Sequence, residues 1–594
     1  MTIEIENVGG VHLLRIANGP ANILSVATGV AAALATALAT AQAASECRGV
    51  VITGGRDLFC GGADLGDLGR SDDLRALFAA IEWSAIPVVM AISGAALGGG
   101  VELALAGHWR IATRAAHFAL PEVGLGLLPG LGGTQRLPRL IGADRALEMM
   151  LSGREVTAEV ALAVGLIDAI IDHDVVEAAI RFVRDGQAPV RRTCGLPPPR
   201  DAASATAAHR QTLRPSLNRA PERILDCVAN LSEDFAAGMR LEAKWLDELV
   251  ASEASGGLRH AFFAHRAARH IPGLDKGRRV GPPATALILG RSAFSQQMAI
   301  TMRASGVKVF QGGPHEGPGT PELVVMVDDA GGLQPPASAA SDITAFPRRA
   351  ATSPGKLDTP IRNSVQGTAT QVQFHCAGPG SLMEVIRTQH TAPTALAAMA
   401  ALGKAMGKTV VVSGDRNGSI IERLVEAYRA SVGSLLAAGL SGERIDLALT
   451  RWGMAHGPVA AGLACSPATE ACPDVHARPQ SASDAQIVEL CLLQLINESA
   501  RLIEDRVAWR SADIDVAAIE GLGFPRERGG PMFQADRIGL PRVLARLRSL
   551  DAAGRLAHKP AALIATLARA NVALARYDST AEMTRIEQQA ANGE

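Results

Sequence analysis

Apolar positions along the chain come in two forms: short solid runs, and longer stripes spaced at helical intervals. Val11–Ile16 (VHLLRI) and Gly49–Thr53 (GVVIT) read as strands on either side of an Ala-rich helical stretch near Ala27–Ala44. This strand–helix–strand rhythm predicts a parallel sheet and an α/β fold. A third solid run, Pro87–Ile92 (PVVMAI), predicts a buried strand. It is followed by the turn Gly98-Gly99-Gly100 and a short apolar helix, Val101–Gly107. Arg191–Ala220 is rich in Pro, Ala and Arg and reads as a linker, after which Glu222–Ala251 and Leu258–Gly273 carry amphipathic helical spacing. Beyond them, Ala284–Leu289, Val307–Phe310 and Pro321–Val327 read as strands, and helical units close the chain near 417–475 and 484–594.

At 594 residues the chain exceeds what a single core supports, so several domains are expected. With 58 basic and 59 acidic residues the net charge is −1, which argues against nucleic acid or a strongly anionic surface as the main partner. The eight cysteines are scattered without a CxxC pair, so neither a zinc site nor a disulfide frame is expected, and no metal is assigned. The start, MTIEIENVGG, lacks the basic and apolar regions of a signal peptide, and no apolar run reaches about 18 residues. The last residues, ANGE, are not a peroxisomal address. A cytoplasmic protein with no membrane span is the expectation.

Candidate chemistry concentrates behind the third strand. Glu102 lies in the first turn of the helix that the glycines open, where free N–H groups and a partial positive charge suit an oxygen anion. Glu122 follows twenty residues later in LPEVGLGLLPG, a spacing that lets a helix and a short strand return it to the same cleft. Two acids among Leu, Ala, Val and Gly are costly to bury without a purpose.

These residues resemble the crotonase (enoyl-CoA hydratase/isomerase) family. GGGVELALAG with PEVGLGLLPGLGGTQRLPRLIG is a long ordered match, and GVVITGGRDLFCGGADLGDL at Gly49–Leu68 supplies the upstream half. The resemblance covers a first domain at 1–190. It implies that the backbone N–H groups of Ala63 and Gly99 form an oxyanion hole, and that the loop Gly61, Gly62, Ala63, Asp64 and Leu65 contacts CoA. Glu102 would be the base and Glu122 the proton donor in adding water to a trans-2-enoyl-CoA, giving a 3-hydroxyacyl-CoA. The substrate would be a CoA thioester, and hydration needs no cofactor. Double-bond isomerisation, thioester hydrolysis and a non-catalytic CoA-binding or assembly subunit are the rival readings.

Over its full length the chain is similar to multifunctional β-oxidation enzymes, which fuse a crotonase domain to a 3-hydroxyacyl-CoA dehydrogenase. The resemblance divides the remainder into a linker with a connecting helix (191–280), a shortened Rossmann-like domain (281–416) and two helical repeats (417–475 and 476–594). It also exposes losses. After the first strand of this half, only Gly290 remains of the dinucleotide fingerprint G-x-G-x-x-G; Ser292 and Ser295 stand at the other glycine positions. Gln311 follows the second strand where a carboxylate should meet the ribose, and the family's helical excursion beyond it is missing. His375 and Glu384 match a catalytic His and Glu at a shortened spacing, and Glu422 occupies the position of an Asn. The expectation is a remnant dehydrogenase site that binds no NAD, with a working bifunctional enzyme as the rival. A thiolase, or a second copy of the chain, is the expected partner.

Overall fold

The computed structural model describes residues 2–272, 274, 280–289, 293–311, 322–326, 343–347, 370–376, 381–388, 391–416, 418–463 and 482–580. The chain divides into two compact units, Met1–Leu258 and Arg259–Glu594.

In the first unit one step is used three times: a strand in a large sheet, a short strand in a small sheet, then a helix or tight helical turn. The large sheet has the order Ile3–Val8, Val11–Ile16, Gly49–Thr53, Val88–Ile92, Trp109–Thr113 and Ala169–Ile171. It is parallel except for the opening hairpin, and its central strands Gly49–Thr53 and Val88–Ile92 are buried throughout. Solid apolar runs of this kind suit strands covered on both faces. The small sheet pairs Leu58–Cys60, Ala95–Leu97 and His117–Ala119 in parallel, with Val156–Thr157 antiparallel at its edge. Its register sets Cys60 beside Ala96 and Leu97 beside Ala119, so the turns leaving these three strands emerge side by side.

The Ala-rich stretch forms the helix Val30–Ala43, which buries Val30, Leu34, Ala37, Leu38 and Ala41, one stripe at helical spacing. The helix after the glycine turn begins at Gly99, two residues before the sequence suggests, because a positive φ is needed only at Gly98.

Two readings of the region after Val190 are corrected. The linker stretch contains a helix, Ala202–Thr212, and the helical pattern that follows is two helices, Ala220–Ala229 and Phe235–Ala251. The break comes at Asp234, whose side chain accepts from the Ala237 N–H at 2.9 Å and starts the new helix. All three helices join the first core through Ala205, Ile224, Leu225, Val228, Leu246 and Leu249, so this unit runs on to Leu258.

The second unit holds a seven-stranded sheet in the order Lys308–Gln311, Thr285–Leu289, Leu323–Met326, Ile343–Pro347, Thr370–Cys376, Leu382–Arg387 and Thr409–Gly414. Only the pair Thr370–Cys376 and Leu382–Arg387 is antiparallel. A separate helical core is built on Ile420–Ala437, Gly442–Trp452 and the 21-residue helix Asp484–Glu504. Among the described residues no helix is long and apolar enough to cross a membrane.

Candidate active site

Three of the four residues singled out for chemistry follow from the small-sheet register. Ala63, Gly99 and Glu122 each lie just beyond the end of one of its three parallel strands, and the aligned strand ends bring them to one edge. Glu102 reaches the same edge from the first turn of the helix Gly99–Ala106.

Neither the N–H of Ala63 nor that of Gly99 has a hydrogen-bond partner among the described residues. They are neighbours: a Cβ placed on Gly99 would stand 2.9 Å from the Ala63 nitrogen. Two adjacent unpaired backbone donors are unusual in a folded interior and suit an incoming oxygen anion. The loop Gly61–Leu65 is held by hydrogen bonds from Gly61 N to Ala21 O and from Asp64 N to Leu24 O, both 3.0 Å. Asp64 also closes the loop, accepting from Gly66 N at 2.9 Å, while Leu65 packs against the core.

Gly98 is required by geometry. Its φ of +53° and ψ of −122° strain any residue with a Cβ, and that Cβ would stand 2.9 Å from Glu122 Oε1. Gly98→Ala is therefore expected to cost about 1–3 kcal/mol and to push the Glu122 carboxylate aside. A melting temperature equal to the parent's would refute the constraint.

Glu102 is 2% exposed, and its Oε1 accepts from the N–H groups of Leu131 (2.7 Å) and Gly133 (2.8 Å). Its Oε2 has no partner among the described residues. Burial, with the negative charges of Glu122 and Glu242 beside it, pushes its carboxyl well above the usual range, against the pull of the two N–H bonds. Glu122 sits in the turn Pro121–Leu125 with Oε2 sealed from solvent and unpartnered. Burial raises its carboxyl to about 7. Two buried carboxyls coupled in this way titrate as a unit and resist both being charged at once. Two N–H bonds on Glu102 and the backbone N–H of Glu122 on its own carboxyl each offset part of that burial, and Glu122 Oε2 stays unpartnered. The cleft thus holds two buried carboxyls and two unpaired backbone donors.

Sequence reasoning missed two further features. Glu242, fully buried on the helix Phe235–Ala251, accepts from Gly132 N (2.7 Å), Thr134 N (3.1 Å) and Thr134 Oγ1 (2.5 Å). Its signal was Gly238, one turn earlier on the same face, where a Cβ would fall 2.0 Å from Gln135 Oε1; a glycine inside a helix can mark such close packing. The other is a buried ion pair, in which Arg136 gives Glu82 Oε2 bonds of 3.0 and 2.9 Å from Nε and Nη2.

In the second unit, His375 and Glu384 are cross-strand neighbours; the His375 side chain lies outside the described residues. The Glu384 carboxylate is committed to the helix Ile420–Ala437, accepting from Ile420 N (2.6 Å) and Ile421 N (3.1 Å). Glu422 closes a capping box with Ser419 on the same helix. Gly290 and Ser292 lie outside the described residues, and Ser295 is buried on the helix Ala293–Ala304. At the end of its strand Gln311 is neutral, and its side-chain amide donates to Ser295 O at 3.4 Å. Gln311 is the last described residue of that strand, and the loop after it, where a ribose-binding carboxylate follows in dinucleotide folds, lies outside the described residues. Among the described residues no group of three His, Cys, Asp or Glu could hold a metal ion.

Residues 6–185 match the family described as enoyl-CoA hydratase/isomerase. The chain is 28% identical to the peroxisomal bifunctional enzyme of Danio rerio, over 90% of this chain and 92% of that protein. It is also 28% identical to the peroxisomal fatty acid beta-oxidation multifunctional protein MFP2 of Arabidopsis thaliana, over 94% and 95% respectively. Identity to the fatty acid oxidation complex subunit alpha of Shewanella loihica is 27%, over 85% and 90%. Residues 6–185 therefore belong to the enoyl-CoA hydratase/isomerase (crotonase) family, and the chain as a whole is a relative of the multifunctional β-oxidation enzymes.

Proposed function

We propose that the first unit adds water to trans-2-enoyl-CoA thioesters, giving 3-hydroxyacyl-CoA. The observation that carries this reading is the pairing of two free N–H groups, on Ala63 and Gly99, with two coupled carboxyls raised by burial, on Glu102 and Glu122. The thioester oxygen accepts from the two N–H groups, which stabilise the enolate-like charge that builds on it. Glu102 Oε2 takes a proton from water as the water oxygen bonds to Cβ, and the double-bond electrons move toward the carbonyl. Glu122 delivers its proton to Cα. The reverse sequence dehydrates the product, and proton exchange between the two carboxyls through water resets the pair.

The second unit, on this reading, binds no NAD and oxidises no hydroxyacyl-CoA. Support comes from the neutral Gln311 at the ribose position, the serines at two fingerprint glycine positions, and the use of Glu384 and Glu422 to cap a helix. The relatives' printed names favour a second reading, in which both halves work.

A panel of trans-2-enoyl-CoAs, followed by loss of the conjugated enoyl absorbance with and without NAD, separates these readings. Hydration without NADH formation is the expected result. Titration with NADH, read by nicotinamide fluorescence, should show no saturable binding at micromolar concentrations; saturation there, or NADH produced from a 3-hydroxyacyl-CoA, restores the bifunctional reading. Failure to hydrate any enoyl-CoA overturns the proposal for the first unit.

A further inference from the structure

The turn Leu131–Thr134 presents four consecutive backbone N–H groups at the start of the helix Gly133–Ile141, and two buried carboxylates take them alternately. Leu131 and Gly133 donate to Glu102; Gly132 and Thr134 donate to Glu242. The two acids thus grip one turn of backbone from opposite sides. Moving one side re-aims the donors that hold the other.

We propose that Glu242 is a positioning residue for the reaction: it clamps the turn that holds Glu102 and fixes a negative charge behind that base. The inference rests on the hydratase reading only in giving Glu102 its role; the clamp itself stands on geometry.

The two acids are bound differently. Glu242 spends both oxygens as acceptors, Oε1 from Gly132 N and Oε2 from the N–H and hydroxyl of Thr134, bonds that favour the carboxylate over the acid. Glu102 accepts both bonds through Oε1 and keeps Oε2 clear for a proton. Charged and titratable groups reach Glu242 from several elements. Burial raises the Glu242 carboxyl; the bonds from Thr134 and Gly132 pull it back toward the ionised form, as do the charges of Arg75, on the helix Ser71–Glu82, and Arg136, on the helix Gly133–Ile141. Cys227 faces it from the helix Ala220–Ala229, its thiol pushed up first by burial and then by Glu242. Glu102 and Glu122 both feel its charge, which raises their carboxyls. Arg136 is itself paired with Glu82, so its charge is shared.

Glu242→Gln keeps the side chain's shape and one acceptor oxygen while removing the charge. Two readouts test the proposal on the full-length protein. The first is independent of turnover: an infrared pH titration of the protonated carboxyl band that disappears in Glu102→Gln. In Glu242→Gln this band should titrate at a pH lower by about one unit or more, because a neighbouring negative charge is gone. The second is the acid limb of kcat for hydration, which should move the same way. Glu242→Asp, with the charge kept and the reach shortened, should leave the infrared midpoint near the parent's while lowering kcat. A merely structural role would lower the melting temperature of Glu242→Gln without moving the infrared midpoint, and that outcome overturns the proposal. A moved midpoint in a protein that hydrates no enoyl-CoA supports the clamp and sinks the hydratase reading instead.

Discussion

Glu102→Gln and Glu122→Gln are each expected to slow hydration at least about 100-fold while leaving the affinity for a CoA thioester nearly unchanged. A positioned proton donor or acceptor typically contributes 10²–10⁴-fold, and neither carboxylate is part of the loop Gly61–Leu65 expected to meet the CoA. Both reaction steps move a proton, so the loss should fall on kcat and on kcat/KM alike. The pH dependence separates the two roles. Falling pH protonates Glu102 and removes the base, giving an acid limb. Rising pH strips the proton from Glu122 and removes the donor, giving a basic limb, and both limbs belong to the coupled pair. Glu122→Gln should abolish the basic limb, and Glu102→Gln the acid one, in whatever activity remains. Either variant hydrating at the parental rate, measured with a short enoyl-CoA at saturation, would exclude the two-carboxyl mechanism.

How far the sequence carries this site depends on how local each contact is. Glu102 is legible because the glycine turn that opens its helix is adjacent to it, and Glu122 because its spacing from Glu102 and its apolar surroundings let it return to the same cleft. Bringing them together requires only one parallel register in the small sheet, which a repeated strand–turn–helix pattern implies. Glu242 is a different case. Its partners are backbone N–H groups about 110 residues away, and no side-chain pattern announces a backbone donor. The helix carrying it reads as an ordinary amphipathic one, with acids at Asp247 and Glu248 to match. The stretch after Val190 was opaque for another reason. Prolines and alanines there suggest a linker, but Ala202–Thr212 is Ala-rich enough to be helical, and Ala205 is small enough to pack into the core. In the second unit the first three strands in chain order were legible to within a residue or two, because solid apolar runs such as TALIL do not depend on what surrounds them, and the other four were not read. The use of Glu384 to cap a helix was not legible, since it depends on a register and a packing that only the fold supplies.

The largest expected loss of stability follows from the pair Glu82 and Arg136. Both side chains are 2% exposed. Glu82 accepts from Arg136 through Oε2 and from Cys194 N through Oε1 at 2.7 Å. Arg136 in turn donates from Nη1 to Leu131 O at 3.0 Å, the residue whose N–H holds Glu102. Its guanidinium also lies 5.3 Å from the centre of the Phe235 ring. Glu82→Gln leaves this guanidinium buried without its paired carboxylate, a change that costs about 3–5 kcal/mol where such pairs have been broken. Whole domains are stable by only about 5–15 kcal/mol, so the first unit should become marginal. The measurement is the urea concentration at which half the hydratase activity is lost, which isolates the first unit from the second. With a slope of about 3 kcal/mol per molar, the midpoint should fall by roughly 1 M or more. An unchanged midpoint would mean that the two groups are solvated and the pair contributes little. Replacing both partners, Glu82→Leu with Arg136→Met, removes the uncompensated charge and should cost less than the two single changes added together. Activity should not return with stability in that double variant, because the bond from Arg136 to Leu131 O helps shape the turn on which Glu102 depends.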